Sequence, residues 1–396
     1  MATTEALIEK ILDDGNMPAL SFSWCQTNTT KTVAGGTLDT SNTSDPKPVD
    51  TNTLFQAASL SKPVSAAMML ELLAELQLKL ETPLCEIADY GPPELRADPN
   101  YRKLTIGMVL GQSSGLPNWF KQGDKTVFLE GVTPGTQFNY SGVAFQCLKE
   151  VIEIKTKKNW ETLAHAFFTK VGMKNSTFKQ LPASHLKDTR EVARGHLGDG
   201  KPDPQIHPID SPEVPAGSLI TTATDYMTFL QYCYSNDALR STLLAGITPL
   251  NLADFTKSPF AADQNIEWGF GMGVFTNSDK TIAFHWGNNT GSDAFCAMNM
   301  KTGDSVACFV NSENGPNVFQ KLADPIVGDL TQLFKWLSEY CDFKAKTPPK
   351  SPNSLTELCQ SVIKSNAGDT TKFRRDIEEL RANQNDSTAK TPPKPL

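Results

Sequence analysis

Ser59 and Lys62 stand three residues apart in AASLSKP, and an apolar run, PVSAAMMLELLAEL, follows at once. A serine one helical turn before a lysine can pair a nucleophile with its base, because i, i+3 spacing puts both on one helix face. An amine stripped of water sits neutral at ordinary pH and can take the hydroxyl proton. The alternative is an N-capping serine followed by a lysine whose stem lies on apolar surface while its amine stays in water. The bare pattern is weak: it recurs at Ser44, Ser59, Ser176, Ser184, Ser361 and Ser387. Context singles out Ser59. TLFQAA reads as extended, the apolar helix opens at the serine, and free N–H groups at a helix start suit a developing oxyanion.

Two other patterns imitate chemistry. Gly111-Gln112-Ser113-Ser114-Gly115 spells a nucleophile elbow, which must lead from a strand straight into a helix; Pro117 argues against that helix. Lys301-Thr302-Gly303 falls between DAFCAMNM and DSVACFVNS, where Thr-Gly-Asp reads as a hairpin turn. Histidines at 165, 185, 196, 207 and 285 and eight scattered cysteines show neither metal-ligand spacing nor a C-x-x-C pair. No metal and no cofactor are expected, and the cysteines read as reduced thiols, most of them in the core.

The elements that would position Ser59 and Lys62 come from both ends of the chain. Residues 3–14 read as an amphipathic helix capped by Thr3 or Thr4. ALSFSW alternates like a strand, and KTVAGGTL follows as its partner. Helix-like pieces lie at 104–111, 141–155, 159–171 and 224–234. WGFGMGVF, TIAFHWG, DAFCAMNM and DSVACFVNS read as strands, with a closing helix near 317–340. One α/β lobe from residues 1–58 and 212–345, with a mainly helical lobe at 59–211 inserted, is the expected organisation. The last fifty residues differ: KTPPK at 346–350 and again at 390–394 brackets two short helical stretches. These read as a flexible tail. The first stretch has a capping box, Ser354 with Glu357, and a stripe of Leu355, Leu358, Val362 and Ile363; the second places Phe373, Ile377 and Leu380 on one face.

A chain of 396 residues with net charge −7 and no basic stripe is not expected to bind nucleic acid. The apolar run near 63–76 is broken by Glu71 and too short to span a bilayer. The N-terminal residues carry no Sec-type signal, so a cytoplasmic protein without a membrane partner is expected.

TLFQAASLSKPVSAAMMLELLAELQLKLETPL, LTIGMVLGQSSGLP, PGTQFNYSG and VPAGSLITTATDYMTFL together resemble the serine β-lactamase-like hydrolases, a group that includes class C β-lactamases, D-alanyl peptidases and related esterases. The resemblance covers roughly residues 3–340. It implies an antiparallel sheet flanked by helices with an inserted helical lobe. It also implies three converging motifs, S-x-x-K, Y-x-N and K-T-G or H-x-G. Ser59 and Lys62 match the first, and Tyr140-Ser141-Gly142 falls on the second, with glycine where asparagine is usual. His285-Trp286-Gly287 matches the third. The resemblance further implies that Tyr140 shares protons with Lys62 and Ser59, and that His285 lines the pocket and tunes protonation. Gly287 would let the strand approach substrate, and the Asn288 N–H would join that of Ser59 as an oxyanion hole. Trp286 either packs or walls the pocket. Gln112 stands where a histidine is frequent in the family.

The expected reaction is acyl transfer through a covalent intermediate on Ser59. An esterase-like or small-peptide hydrolase acting on a small acyl substrate (ester, amide or lactam) is the leading reading. An acyltransferase, a true β-lactamase and a catalytically silent binding protein are its alternatives. A docking segment for a protein partner is the alternative reading of the tail. Its glutamates resemble signals on effectors exported by bacterial type IV systems, which makes signal-independent export into a host cell an alternative location.

Overall fold

The computed structural model describes residues 3–119, 128–179, 191–204, 212–245, 248–249, 265–278 and 280–366. Among the described residues, eight strands form one antiparallel sheet: β1 (Ala19–Gln26), β2 (Thr29–Gly36), β5 (Thr248–Pro249), β6 (Ile266–Trp268), β7 (Gly273–Asn277), β8 (Lys280–Asn289), β9 (Ser292–Asn299) and β10 (Ser305–Val310). Their order is β2-β1-β10-β9-β8-β7-β6-β5, so the N-terminal hairpin joins the C-terminal strands through β1 and β10. Both faces of the central strands are buried, and the period of two sorts their side chains into separate cores. Phe284 and Trp286 of β8 and Phe295 and Ala297 of β9 face one core, which also holds Ile11, Leu322 and Trp336. Ala283 of β8 and Cys296 and Met298 of β9 face the other, with Leu60, Met69 and Phe229.

The first core is covered by α1 (Thr4–Gly15), α10 (Phe319–Val327), α11 (Thr331–Cys341) and α12 (Pro352–Ser365). Thr3 caps α1 by accepting from the Ala6 N–H. The single closing helix expected near 317–340 is two helices, broken at Gly328, whose φ of 115° only glycine adopts without strain. The stretch read as the start of a flexible tail also differs. Helix α12 packs on α1 and α10 and buries Leu355, Cys359, Val362 and Ile363. It starts at Pro352, so Ser351 rather than Ser354 stands at the cap position and no capping box forms. The first KTPPK is docked as well: Thr347 Oγ1 donates to the Gly198 carbonyl at 2.6 Å, and the Lys350 N–H donates to the Asp14 carbonyl. The second stretch, with Phe373, Ile377, Leu380 and the repeat at 390–394, lies outside the described residues.

The other core belongs to α2 (Ser61–Glu75), α3 (Leu84–Ile87), α4 (Pro93–Ala97), α5 (Ile106–Leu110), α6 (Gly142–Thr156), α7 (Trp160–Val171), α8 (Ala223–Ser235) and α9 (Asp237–Ala245). A two-stranded ribbon, β3 (Phe55–Gln56) with β4 (Ile220–Thr221), closes the lobe where the chain leaves the sheet and returns. Helix α8 then packs on β1 and β10. No described helix is long and apolar enough to cross a membrane.

Candidate active site

Ser59 lies in a 3-10 turn, Ala58–Leu60, directly before α2, rather than in the α-helix itself. Ala58 has φ of 47°, a left-handed conformation that a residue with a Cβ adopts at a cost of about 1 kcal/mol or more. Its surroundings hold it there. The Ala57 N–H donates to the Leu219 carbonyl at 2.8 Å, and the Leu219 N–H donates to Ser61 Oγ at 2.9 Å. Ser61 Oγ in turn donates to the Ala58 carbonyl at 2.6 Å.

Lys62, one turn on, is fully buried. Its Nζ donates to Ser59 Oγ at 3.0 Å and to the Ala216 carbonyl at 3.0 Å. Desolvation lowers the lysine pKa to about 7. Among the described residues no carboxylate pairs with it, so no counter-charge offsets the desolvation. In the neutral amine the bond reverses: the Ser59 hydroxyl donates and the Nζ lone pair accepts.

Tyr140 reaches this pair from the loop before α6. Its neighbours on both sides are clamped by one residue. The Asn139 N–H donates to the Gln112 carbonyl, and the Ser141 N–H donates to Gln112 Oε1, each at 2.6 Å. Ser141 Oγ caps α6 by accepting from the Ala144 N–H at 3.0 Å. The Tyr140 ring stacks on Trp286 at 5.2 Å between centroids and meets the edge of Trp268 at 5.9 Å. Its centroid lies 4.5 Å from Lys62 Nζ. The hydroxyl is shielded from solvent and closes no hydrogen bond of normal geometry among the described residues. Desolvation holds its pKa well above the ordinary value, and Ser59 is the side chain that pulls it down. The phenol and the Ser59 hydroxyl are therefore neighbours in a loose contact of the kind unliganded sites show.

The third motif lies on β8, whose His285 and Gly287 face the helical lobe. The Gly287 position leaves no room for a side chain, since a Cβ there would stand 2.4 Å from the Ala57 carbonyl oxygen. His285 is fully buried, with Nδ1 2.7 Å from the Trp286 carbonyl oxygen. A carbonyl only accepts, so Nδ1 carries the proton and Nε2 presents a bare lone pair, which has no partner among the described residues. Desolvation first, then Lys62, lowers its pKa to about 3 despite that carbonyl. The imidazole is neutral across the physiological range. Trp286 alternates to the opposite face and is 5 % exposed. It stacks on the Tyr140 ring and packs among the residues of the first core.

Asn288 turns its side chain away from the turn at Ser59: Nδ2 donates to Asp293 Oδ1 at 2.7 Å. Asp293 Oδ2 accepts from the Gly315 N–H, and burial pushes this carboxyl up to about 7 against both bonds. Sequence reasoning did not find Asp293, because its link to Asn288 depends on the β8–β9 register. Nor did it find the Ala216 carbonyl or the Gln112 clamp.

The imitations fall elsewhere. Ser113 follows helix α5 rather than a strand, and its backbone pairs with Met108 and Gly135. Lys301-Thr302-Gly303 forms the β9–β10 turn, ~20 Å along β9 from Asp293. Ser44, Ser176 and Ser361 bond to Asn42, Asp225 and the Glu357 carbonyl. Ser184 and Ser387 lie outside the described residues, as do His185 and His207. His196 is structural, accepting from the Thr40 N–H through Nε2 at 3.1 Å, with Nδ1 3.0 Å from the Asn311 carbonyl. Six of the eight cysteines are buried, and all eight are free thiols. No group of metal-ligating side chains occurs among the described residues.

A family model described as Beta-lactamase matches residues 4–327. The chain belongs to the beta-lactamase family. Members of this family are usually serine hydrolases. Penicillin-binding protein 4 of Amycolatopsis lactamdurans is 28 % identical over 200 residues, 46 % of this chain and 51 % of the relative. Protein flp of Staphylococcus aureus (strain MW2) is 24 % identical over 295 residues, 69 % of this chain and 56 % of the relative. This beta-lactamase-family chain thus spans about half the length of the curated relatives it matches. The octameric penicillin-binding protein homologue from Pyrococcus abyssi superposes with a TM-score of 0.64 at 17 % identity, covering 87 % of this chain and 78 % of that one. At that identity the likeness shows the fold, which is beta-lactamase/transpeptidase-like.

Proposed function

We propose that this chain is a serine hydrolase that cleaves small acyl esters or short peptides through a covalent acyl-enzyme on Ser59. One observation carries the reading: Lys62 Nζ, buried without a counter-charge among the described residues, stands 3.0 Å from Ser59 Oγ. In the first step Ser59 Oγ bonds to the carbonyl carbon, and its proton passes to neutral Lys62. The oxyanion faces the backbone N–H groups of Ser59 and Asn288. The proton moves through Tyr140 to the departing oxygen or nitrogen as its bond to carbon breaks. Water then loses a proton to the Lys62/Tyr140 pair and bonds to the acyl carbon. Ser59 Oγ leaves with a proton, and the carboxylic acid is released. His285 takes no proton in this scheme and offers Nε2 as an acceptor.

Esters are placed ahead of β-lactams because Gly142 carries no amide to meet a substrate amide. Incubation with a slow ester or a fluorophosphonate, followed by peptide mapping, tests the reading. Mass added at Ser59 and lost in Ser59→Ala supports it. An unmodified chain, or mass added at Ser113, refutes it.

A further inference from the structure

Beside Tyr140 the chain places a residue without a side chain, and an indole occupies the space. A Cβ on Gly142 would stand 2.9 Å from Trp119 Cη2 and 2.9 Å from the Asn118 carbonyl oxygen. The same edge of the indole lies 3.8 Å from the position a Cβ would take on Gly217. Gly217 directly follows Ala216, whose carbonyl holds Lys62. The two glycines come from segments far apart in the chain, and the benzo edge of Trp119 lies against both. The backbone fixes this seat, because the Gly142 and Val143 N–H groups at the start of α6 donate to the Asn118 carbonyl at 3.1 and 3.2 Å. Ser141 Oγ also donates to the Pro117 carbonyl at 2.8 Å.

The rest of the ring is open. Trp119 is 50 % exposed, while Trp160, Trp268 and Trp336 are all but completely buried. Its ring centroid lies 5.9 Å from Lys62 Nζ. A large aromatic surface anchored by one edge beside the reacting pair offers stacking area at little further entropic cost.

Resting on the hydrolase reading above, we propose that Trp119 is a specificity-determining wall that selects substrates with an aromatic substituent next to the scissile carbonyl. Esters or amides whose acyl or leaving group ends in a phenyl ring would be the favoured class.

The test uses two probe pairs on the full chain: fluorophosphonates with benzyl or methyl on phosphorus, and fluorophosphonates with a phenyl or ethyl ester arm. Ser59 Oγ bonds to phosphorus and fluoride leaves, so labelling is read as mass added at Ser59. The readout is the ratio of aromatic to alkyl second-order rate constants, from which any general loss of reactivity or folding cancels. In the unaltered chain at least one ratio exceeds unity by about tenfold. That ratio falls toward one in Trp119→Ala and is retained in Trp119→Phe. Gly142→Ala, which must push the indole out of its seat, lowers it too. Ratios unchanged in Trp119→Ala, with Ser59 still labelled, overturn the wall and leave the hydrolase reading standing. Absence of labelling at Ser59 by every probe overturns both.

Discussion

A Cβ on Gly287 would stand 2.4 Å from the Ala57 carbonyl oxygen and 3.2 Å from the Ala58 Cβ. This close approach docks β8 against the turn that carries Ser59, and both partners in the tight contact are backbone or nearly so. Neither can swing aside. In Gly287→Ala the strand or the turn must move by about 1 Å, which for a reacting geometry is worth on the order of a hundredfold in rate. Acylation of Ser59 should slow by that much, with a stability loss of about 1–3 kcal/mol from overpacking. Stopped-flow acylation and thermal unfolding measure the two effects. A near-normal acylation rate would show that the approach of β8 is not needed.

The base must be neutral, and desolvation lowers the Lys62 pKa to about 7. The acylation rate should therefore climb with pH, tenfold per unit, up to about 7 and level off above it. His285, lowered to about 3, stays neutral across that limb and contributes no second inflection. Tyr140, raised well above its ordinary value, stays protonated there. Asp293 does titrate in the same region, pushed up to about 7 by burial. Asp293→Asn separates the two: the limb persists if it belongs to Lys62. A pH-independent rate between 5 and 8 would contradict the assignment of the lysine as base.

Burying an amine that is neutral only above about pH 7 destabilises the fold. Between the folded pKa and the unfolded value of about 10.5, the unfolded chain binds the extra proton, so stability rises with pH in that window. Below the window the penalty is constant and complete. Lys62→Met, apolar and of similar length, should remove the penalty. It should be inactive yet stabler by about 1–2 kcal/mol at pH 6, with a smaller gain at pH 9. Thermal melts at the two pH values check this. A destabilised variant would mean that the bonds to Ser59 and Ala216 outweigh desolvation.

The serine and lysine were legible because their context is local: an extended stretch, then a helix apolar nearly all round. Tyr140, His285 and Gly287 were reachable through motif resemblance alone, since nothing near them in the chain marks them. Ala58 could not be read at all. Alanine carries no signal for a left-handed φ, and the Leu219 backbone that holds the turn is 161 residues away in sequence. Asp293 and Trp119 are similar cases, for their partners are set by strand register and by loop packing. The apolar stripe of α12 was visible, with Leu355, Val362 and Ile363 among its residues, but its docking surface on α1 was not. A stripe says that a face will be buried and leaves open against what.

Gln112 is fully buried with φ of 53°, and its carbonyl and Oε1 accept the backbone N–H groups on either side of Tyr140. Both bonds act on the loop rather than on the phenol, so Gln112 is a positioning residue. Gln112→Met keeps the volume and the backbone carbonyl but removes the side-chain acceptor, leaving the Ser141 N–H unsatisfied at a cost of about 1–3 kcal/mol. The loop then loses one of its two bonds to Gln112. Turnover should fall about tenfold or more while KM changes little, because the phenol moves protons and does not hold substrate in the ground state. A purely structural role would lower the melting temperature without splitting kcat from KM. Steady-state kinetics on an ester substrate beside a melt decide the matter, and a kcat within twofold of the unaltered chain would exclude the clamp from the mechanism.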